Sequence, residues 1–162
     1  WSIMKIMIMS DTHGDMIYID EIISRHNVDD IIHLGDAEIS KHHFNMRMIK
    51  GNSYNDDHLP IDATFRLDDF VFYITHGHLY DVNNGLNKLF YKAKSVNADY
   101  CLYGHTHKAF YEVIDGICFI NPGSVTMPRA GVSSYVILDT KSKICIHYNL
   151  LGEEIIRNDG SC

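Results

Sequence analysis

The sequence predicts an α/β domain in which two packed sheets carry helices on their outer faces. Early in the chain, strands alternate with a helix, which is typical of a parallel sheet. Later in the chain, strands come in pairs joined by short turns, which is typical of antiparallel hairpins. The chain has 162 residues, of which 46% are hydrophobic, and this is enough to build a full core. We therefore treat residues 1–162 as a single domain.

The first half of the chain predicts a β-α-β unit followed by a third strand. Residues 5–10 form a short apolar run that predicts a buried strand. Asp15 is the predicted cap of the next helix, in which apolar residues recur at helical spacing. Residues 30–34 predict the second strand and residues 47–50 the third. The polar segment 37–45 between them matches neither pattern.

The second half predicts three hairpins, one helix and one further strand. The hairpins are 64–67 with 70–75, 109–114 with 117–120, and 134–139 with 144–149. Asn83 or Asn84 is the predicted cap of a helix that has an apolar face. Residues 99–103 predict the remaining strand.

The amino-acid composition excludes or disfavours several classes of protein. The formal net charge is −7 and lysines and arginines form no cluster, which disfavours a nucleic-acid-binding surface. No apolar run reaches the ~20 residues needed to cross a bilayer, and no secretory signal is recognisable. Three of the four cysteines lie in apolar runs and none forms a CxxC pair, which indicates reduced thiols and a cytoplasmic protein. Residues 1–3 precede a natural-looking start and are interpreted as a remnant of processing or expression.

Metal-capable side chains follow the apolar runs. They are Asp11, His13, Asp36, Asn52, His76, His78, His105, His107 and Asn121. If the strands share a direction, these groups converge at one edge of the sheets, where open α/β folds bind their ligands.

Spacing and ligand chemistry make this a candidate metal site. Residues two apart in an extended segment point to the same side. We therefore expect Asp11 and His13 to face one ion, and His105 and His107 each to face one of two neighbouring ions. A mixture of carboxylates, imidazoles and a carboxamide suits Mn, Fe, Zn or Ni better than it suits a thiolate zinc site.

Taken singly, each of these motifs also has a purely structural interpretation. Asp36, Asn52 and the segment 121–123 are ordinary turn residues when considered alone. The remaining histidines after strands, at positions 33, 42, 43, 58 and 147, are interpreted as surface or capping residues. The joint occurrence of the motifs behind successive apolar runs favours the metal site.

In their order, the motifs resemble those of the calcineurin-like metallophosphoesterases, and most of all the small YfcE-type phosphodiesterases. The matching motifs are D-x-H at 11–13, GD at 35–36, GN at 51–52, THGH at 75–78, GHTH at 104–107 and NPGS at 121–124. The resemblance extends from Met4 to Leu150. It implies a four-layer α/β/β/α sandwich with two mixed sheets.

The resemblance also implies roles for individual residues. The first of two divalent ions would take Asp11, His13, Asp36 and His107, and the second Asp36, Asn52, His76 and His105. Asp36 would bridge the ions, and Mn is the favoured metal. His78 would face the substrate or support a ligand. Arg129 would contact a substrate phosphate, although an exposed loop arginine is an equal alternative.

The implied reaction is phosphodiester hydrolysis by a hydroxide activated by two ions about 3.5–4 Å apart. Two ions, two aspartates and a hydroxide leave a charge of about +1, which would attract a small phosphate ester. Ser53 and Tyr54 depart from the family pattern, so Asp56, Asp57 or water are the alternatives for protonating the leaving group.

Other functions remain open at this stage. A phosphomonoesterase or nucleotide hydrolase would use the same ligands. A retromer subunit of the same fold is a non-catalytic scaffold, but it has Asn where His13 stands here, which favours an enzyme. A homo-oligomer is also left open.

Overall fold

The computed structural model describes residues 4–14, 16–37, 46–52, 59–126 and 132–159, and it confirms an α/β fold with two mixed sheets. The strands of the first sheet are β1 (Lys5–Met9), β2 (Asp30–His33), β3 (Arg47–Met48), β9 (Ser134–Asp139), β10 (Ile144–Asn149) and β11 (Glu154–Asp159). Their spatial order is β11-β10-β9-β1-β2-β3. β1 pairs in parallel with β2 and antiparallel with β9, so the sheet is mixed.

The second sheet has five strands. They are β4 (Asp62–Leu67), β5 (Phe70–Thr75), β6 (Tyr100–Leu102), β7 (Ala109–Ile114) and β8 (Ile117–Pro122), in the order β4-β5-β6-β8-β7. The three central strands, β5, β6 and β8, are parallel to one another. The outer strands β4 and β7 are the antiparallel partners of hairpins, as predicted.

Alternating side chains produce the four layers. In β1, Ile6 and Ile8 pack against the second sheet, whereas Met7 and Met9 pack towards helix α1 (Met16–Arg25). In the second sheet, Phe72 and Ile74 face the first sheet and Tyr73 faces helix α2 (Asn87–Ser95). The order is therefore α1, first sheet, second sheet, α2, which is the predicted sandwich.

The structure departs from the sequence prediction at two elements. β11 was not predicted, because most of its residues are exposed and it lies at a sheet edge. α2 begins at Asn87 after Leu86, so the predicted asparagine cap is wrong. Asn84 instead lies in a 3₁₀ turn (Val82–Asn84), and its side chain donates to Asp81 Oδ1 at 2.7 Å. Asp15 and the segment 38–45 lie outside the described residues.

The strand directions place the site. β1 and β2 run towards the same edge of the sandwich as β5, β6 and β8, so the segments that follow them meet there. Gly104 N, after β6, donates to His76 O, after β5, at 2.9 Å. Within the described ranges, no helix is both long and apolar enough to cross a membrane.

Candidate metal centre

The segments after β1 and β2 are joined by backbone hydrogen bonds. Asp11 N donates to Gly35 O at 3.0 Å, and His13 N donates to Asp36 O at 2.9 Å. Both aspartates are buried, Asp11 completely. The two carboxylates are thus fixed relative to each other by main-chain contacts.

These segments are not extended, so the prediction that residues two apart share a side because the backbone is extended is wrong. Asp11, His13, His105 and His107 all have left-handed φ angles, of 56°, 47°, 68° and 60°. Left-handed residues turn the chain sharply, and each motif therefore curls around the site instead of presenting alternate side chains. The side chains converge nevertheless.

His76 joins the second sheet to the first. Its ring is completely buried, and its Nδ1 donates to the backbone carbonyl of Leu34 at 2.7 Å. A carbonyl can only accept, so Nδ1 carries a proton, and Nε2 is the nitrogen available to a metal ion. That Nε2 lies 3.4 Å from Asp36 Oδ2 and 3.7 Å from Asp11 Oδ1. Two carboxylate oxygens thus face Nε2, and either a second ring proton or a metal ion between them satisfies all three groups.

Two overlapping groups of ligand atoms result. Asp11, His13 and His107 form one group, and Asp11, Asp36 and His76 form the other, with the ligand atoms of each within 4.8 Å of one another. In the first group, His107 Nε2 lies 3.2 Å from Asp11 Oδ1. The structure thus makes Asp11 common to both groups, whereas the sequence interpretation gives the shared position to Asp36.

Asn52 and His105 complete the predicted set. One terminal atom of the Asn52 amide lies 2.7 Å from Asp36 Oδ2 and 3.3 Å from His76 Nε2. If nitrogen occupies that position, the amide donates to Asp36. If oxygen occupies it, the amide oxygen and the Asp36 carboxylate are two acceptors in contact, and a cation between them relieves the repulsion. The His105 ring packs 5.1 Å from that of His76, centroid to centroid.

The electrostatics of the cluster suit metal binding. Burial would raise the pKa of Asp11, but hydrogen bonds from His107 and Ser10 and the charge of His76 together lower it. Burial would lower the pKa of His76, but Asp36 and Asp11 raise it. Burial and the neighbouring His76 lower the pKa of both His78 and His105. The lowered pKa values favour neutral His78 and His105, as metal ligands must be, whereas the raised pKa of His76 means that Asp11 and Asp36 favour a positive charge at this ring. A bound metal ion would supply that charge in place of the proton.

Two glycines allow the segments to approach each other closely. A Cβ on Gly51 would lie 2.1 Å from Asp36 Oδ1, and a Cβ on Gly104 would lie 2.2 Å from Ser10 Oγ. Ser10 Oγ in turn donates to Asp11 Oδ2 at 2.6 Å. Any side chain at these positions would displace an aspartate or its hydrogen-bond donor.

Sequence reasoning missed the role of His33, which is fully buried and not a surface residue. Its Nδ1 accepts from Gly35 N at 3.2 Å, so Nε2 carries the proton and donates to Thr12 Oγ1 at 2.9 Å. Thr12 Oγ1 donates to Ala37 O at 3.3 Å. This chain ties the two aspartate-bearing segments together. Its one visible signal is the position of His33 at the end of an apolar strand, three residues before Asp36.

The other predicted positions have mixed outcomes. The ring of His78 is half-buried, 5.5 Å from that of His76 and 6.2 Å from that of His105. Its Nδ1 is buried and has no hydrogen-bond partner among the described residues. His147, also interpreted as a surface or capping residue, is completely buried in β10. Arg129, His42, His43, His58 and residues 53–57 lie outside the described residues.

Buried carboxylates that face imidazoles at the ends of parallel strands place the molecule in the class of metal-binding α/β proteins. Within that class, the chain belongs to the calcineurin-like phosphoesterase superfamily, whose domain model matches residues 4–143. The chain is 32% identical over 160 residues to the probable metallophosphoesterase YsnB of Bacillus subtilis, covering 94% of this chain and 95% of YsnB. It is 33% identical over 164 residues to phosphodiesterase MJ0936 of Methanocaldococcus jannaschii, covering 86% and 95%.

Solved structures share the fold. A predicted phosphoesterase from Streptococcus pneumoniae superposes with a TM-score of 0.89 at 29% identity, covering 100% of this chain and 99% of that one. YfcE of E. coli, a phosphoesterase, gives 0.73 at 24% identity, covering 96% and 98%. Vps29 of Entamoeba histolytica gives 0.80 at 19% identity, covering 98% and 100%. The last two likenesses concern the fold alone.

Proposed function

We propose that this protein is a metal-dependent phosphodiesterase that uses two divalent ions, with Mn²⁺ as the favoured metal. One observation carries the proposal. The Nδ1 proton of His76 is committed to Leu34 O, so its Nε2 is the ring atom that faces the carboxylates of Asp11 and Asp36, at 3.7 Å and 3.4 Å. A cation satisfies all three groups at once. The phosphodiesterase name of the M. jannaschii relative supports the choice of reaction.

The proposed ligand sets combine the clusters with the sets that the family resemblance implies. The group of Asp11, His13 and His107 would hold one ion, and His76, Asp36, Asn52 and His105 the other. Asp36 and Asp11 are both candidates to be shared by the two ions, since both carboxylates face His76 Nε2 and Asp11 belongs to both groups of ligand atoms.

Bound ions would neutralise the phosphate and supply a nucleophilic water near neutral pH. The chain's own residues hold the ligands still. Ser10 donates to Asp11 Oδ2, and the Leu34 carbonyl orients His76. His78 would contact the substrate, because its half-buried ring lies beside those of His76 and His105. With its lowered pKa it would act mainly as a neutral hydrogen-bonding group.

The test is the variant Asp36→Asn, assayed with Mn²⁺ and bis(p-nitrophenyl) phosphate. Loss of a ligand charge and of one candidate bridge should lower turnover at least 100-fold, while the exposed control Asp20→Asn on α1 should keep wild-type turnover. Equal turnover in Asp36→Asn and wild type would rule out the mechanism. Parallel assays of p-nitrophenyl phosphate would separate a phosphodiesterase from a phosphomonoesterase.

The second candidate function is a non-catalytic metal-binding scaffold for protein interaction. The Vps29 likeness in fold favours it, as does the exposed Leu79 next to His78. Titration with Mn²⁺ combined with the diesterase assay separates the two, because a scaffold would bind the metal without turnover.

A further inference from the structure

We propose that residues 121–126, which we call the brace, are a positioning element that sets the distance between the Asp11 and His107 sides of the metal centre. The proposal rests on the proposed metal binding. It assigns a role to side chains that are not themselves ligands.

The brace holds the second-sheet side through Asn121. This side chain is completely buried, and its Nδ2 donates to Gly104 O at 3.2 Å and to Thr106 Oγ1 at 2.9 Å. Its Oδ1 accepts from Gly123 N at 2.9 Å. The amide is therefore locked in one orientation, and it grips the residues that flank His105.

The same segment holds the first-sheet side through hydroxyl groups. Ser124 Oγ and Thr126 Oγ1 both donate to Asp11 O, at 3.0 Å and 3.2 Å. The backbone of Val125 donates to Ser10 O at 3.3 Å. A carbonyl has two lone pairs, so Asp11 O can accept both hydrogen bonds. Without them, burying this carbonyl would cost free energy.

The brace is itself anchored to β9 and β10. His147 Nε2 donates to Asn121 O at 2.8 Å, and Ser134 Oγ donates to Pro122 O at 2.6 Å. Because His147 and Ser134 are buried on paired strands, the brace inherits the rigidity of the first sheet.

This arrangement has a consequence for metal affinity. His105 and His107 adopt left-handed φ angles, which surrounding contacts must maintain. Without the Asn121 amide, the segment 104–107 loses two hydrogen bonds and can relax away from Asp11. Both ions would then bind more weakly, because His105 and His107 both lie in this segment.

The experiment is a calorimetric titration of metal-depleted protein with MnCl₂. Asn121→Leu keeps the approximate side-chain size but cannot donate, and it should weaken Mn²⁺ binding about 10–100-fold. His147→Leu should weaken binding in the same direction. His147→Gln should restore it, because the Gln amide can donate to Asn121 O.

The matched control is Thr140→Val. It removes a buried hydroxyl that donates to Asp68 Oδ2 at 2.7 Å, at the opposite edge of the sandwich, so it should lower stability without changing Mn²⁺ affinity. If Asn121→Leu fails to fold by circular dichroism, the His147 pair carries the test. Wild-type affinity in Asn121→Leu, or equal affinity in both His147 variants, would overturn the brace. A wild-type protein that binds no Mn²⁺ would overturn the proposed function, and the brace with it.

Discussion

The two edges of the sandwich both contain residues with left-handed φ angles, but these residues serve different purposes. At the hairpin edge, Asp68, Asp69, Asp115 and Lys143 have left-handed φ angles between 49° and 66°. At the metal edge, five site residues have φ angles in a similar range, 47° to 68°: Asp11, His13, Asp36, His105 and His107. Each such residue costs roughly 1–2 kcal/mol relative to a right-handed one.

The two edges differ in how the free-energy cost of the left-handed residues is offset. At the hairpin edge, left-handed residues match the twist of the paired strands, and the side chains are largely exposed, so each turn is stable locally. At the metal edge, hydrogen bonds between distant segments hold the conformation, and Asp11 and Asp36 are buried. A locally stabilised turn tolerates change, whereas the metal edge depends on every segment that meets there.

The largest expected effect is that of Gly51→Ala. The new Cβ would lie 2.1 Å from Asp36 Oδ1 and 2.4 Å from Asp36 N, so the backbone and carboxylate of Asp36 must both move. We expect Mn²⁺ affinity, measured by calorimetry, to fall more than 100-fold and turnover with it. Gly104→Ala should behave similarly, because its Cβ would displace Ser10 from Asp11. Wild-type Mn²⁺ affinity in both variants would show that the edges do not differ in this way.

The next effect concerns the response of the metal edge to acid. Burial lowers the pKa of His33 from an ordinary value of 6.5 to about 4. The neighbouring histidines also lower this pKa, whereas the carboxylates of Asp11 and Asp36 raise it. A base with a lowered native pKa stabilises the fold above pH 6.5, and this contribution is lost as pH falls towards 4. The full loss is about 3 kcal/mol.

His33→Gln tests this directly, because glutamine does not titrate. At pH 7 the variant should be less stable by about 1–3 kcal/mol, since Gly35 N and Thr12 Oγ1 lose their partner. As pH falls from 7 to 4, the difference in unfolding free energy should shrink by up to about 3 kcal/mol. Urea unfolding of metal-depleted protein at several pH values measures it, and a pH-independent difference would contradict the assignment of neutral His33.

The contrast also explains what the sequence could and could not predict. The hairpin turns at 68–69 and 115–116 were predicted correctly because their signals are local. The site residues could be predicted from their order after the strands. The left-handed backbone conformation that brings their side chains together could not. The brace contacts join residues up to 115 positions apart, as between Thr126 and Asp11, and no local pattern encodes them. β11 escaped because an exposed edge strand carries little hydrophobic signal.

The smallest effect is expected at the hairpin edge, for Gly116→Ala. Gly116 has a φ of 77°, but a Cβ there would meet nothing within 4 Å, so the cost is only that of a left-handed alanine, about 1 kcal/mol. For a domain of this size that lowers Tm by about 2–4 °C in a thermal melt. Mn²⁺ affinity should match the wild type, because the turn lies at the opposite edge from the metal centre. Weakened Mn²⁺ binding here would mean that strain passes from one edge to the other through β7 and β8, and that the two edges are not independent.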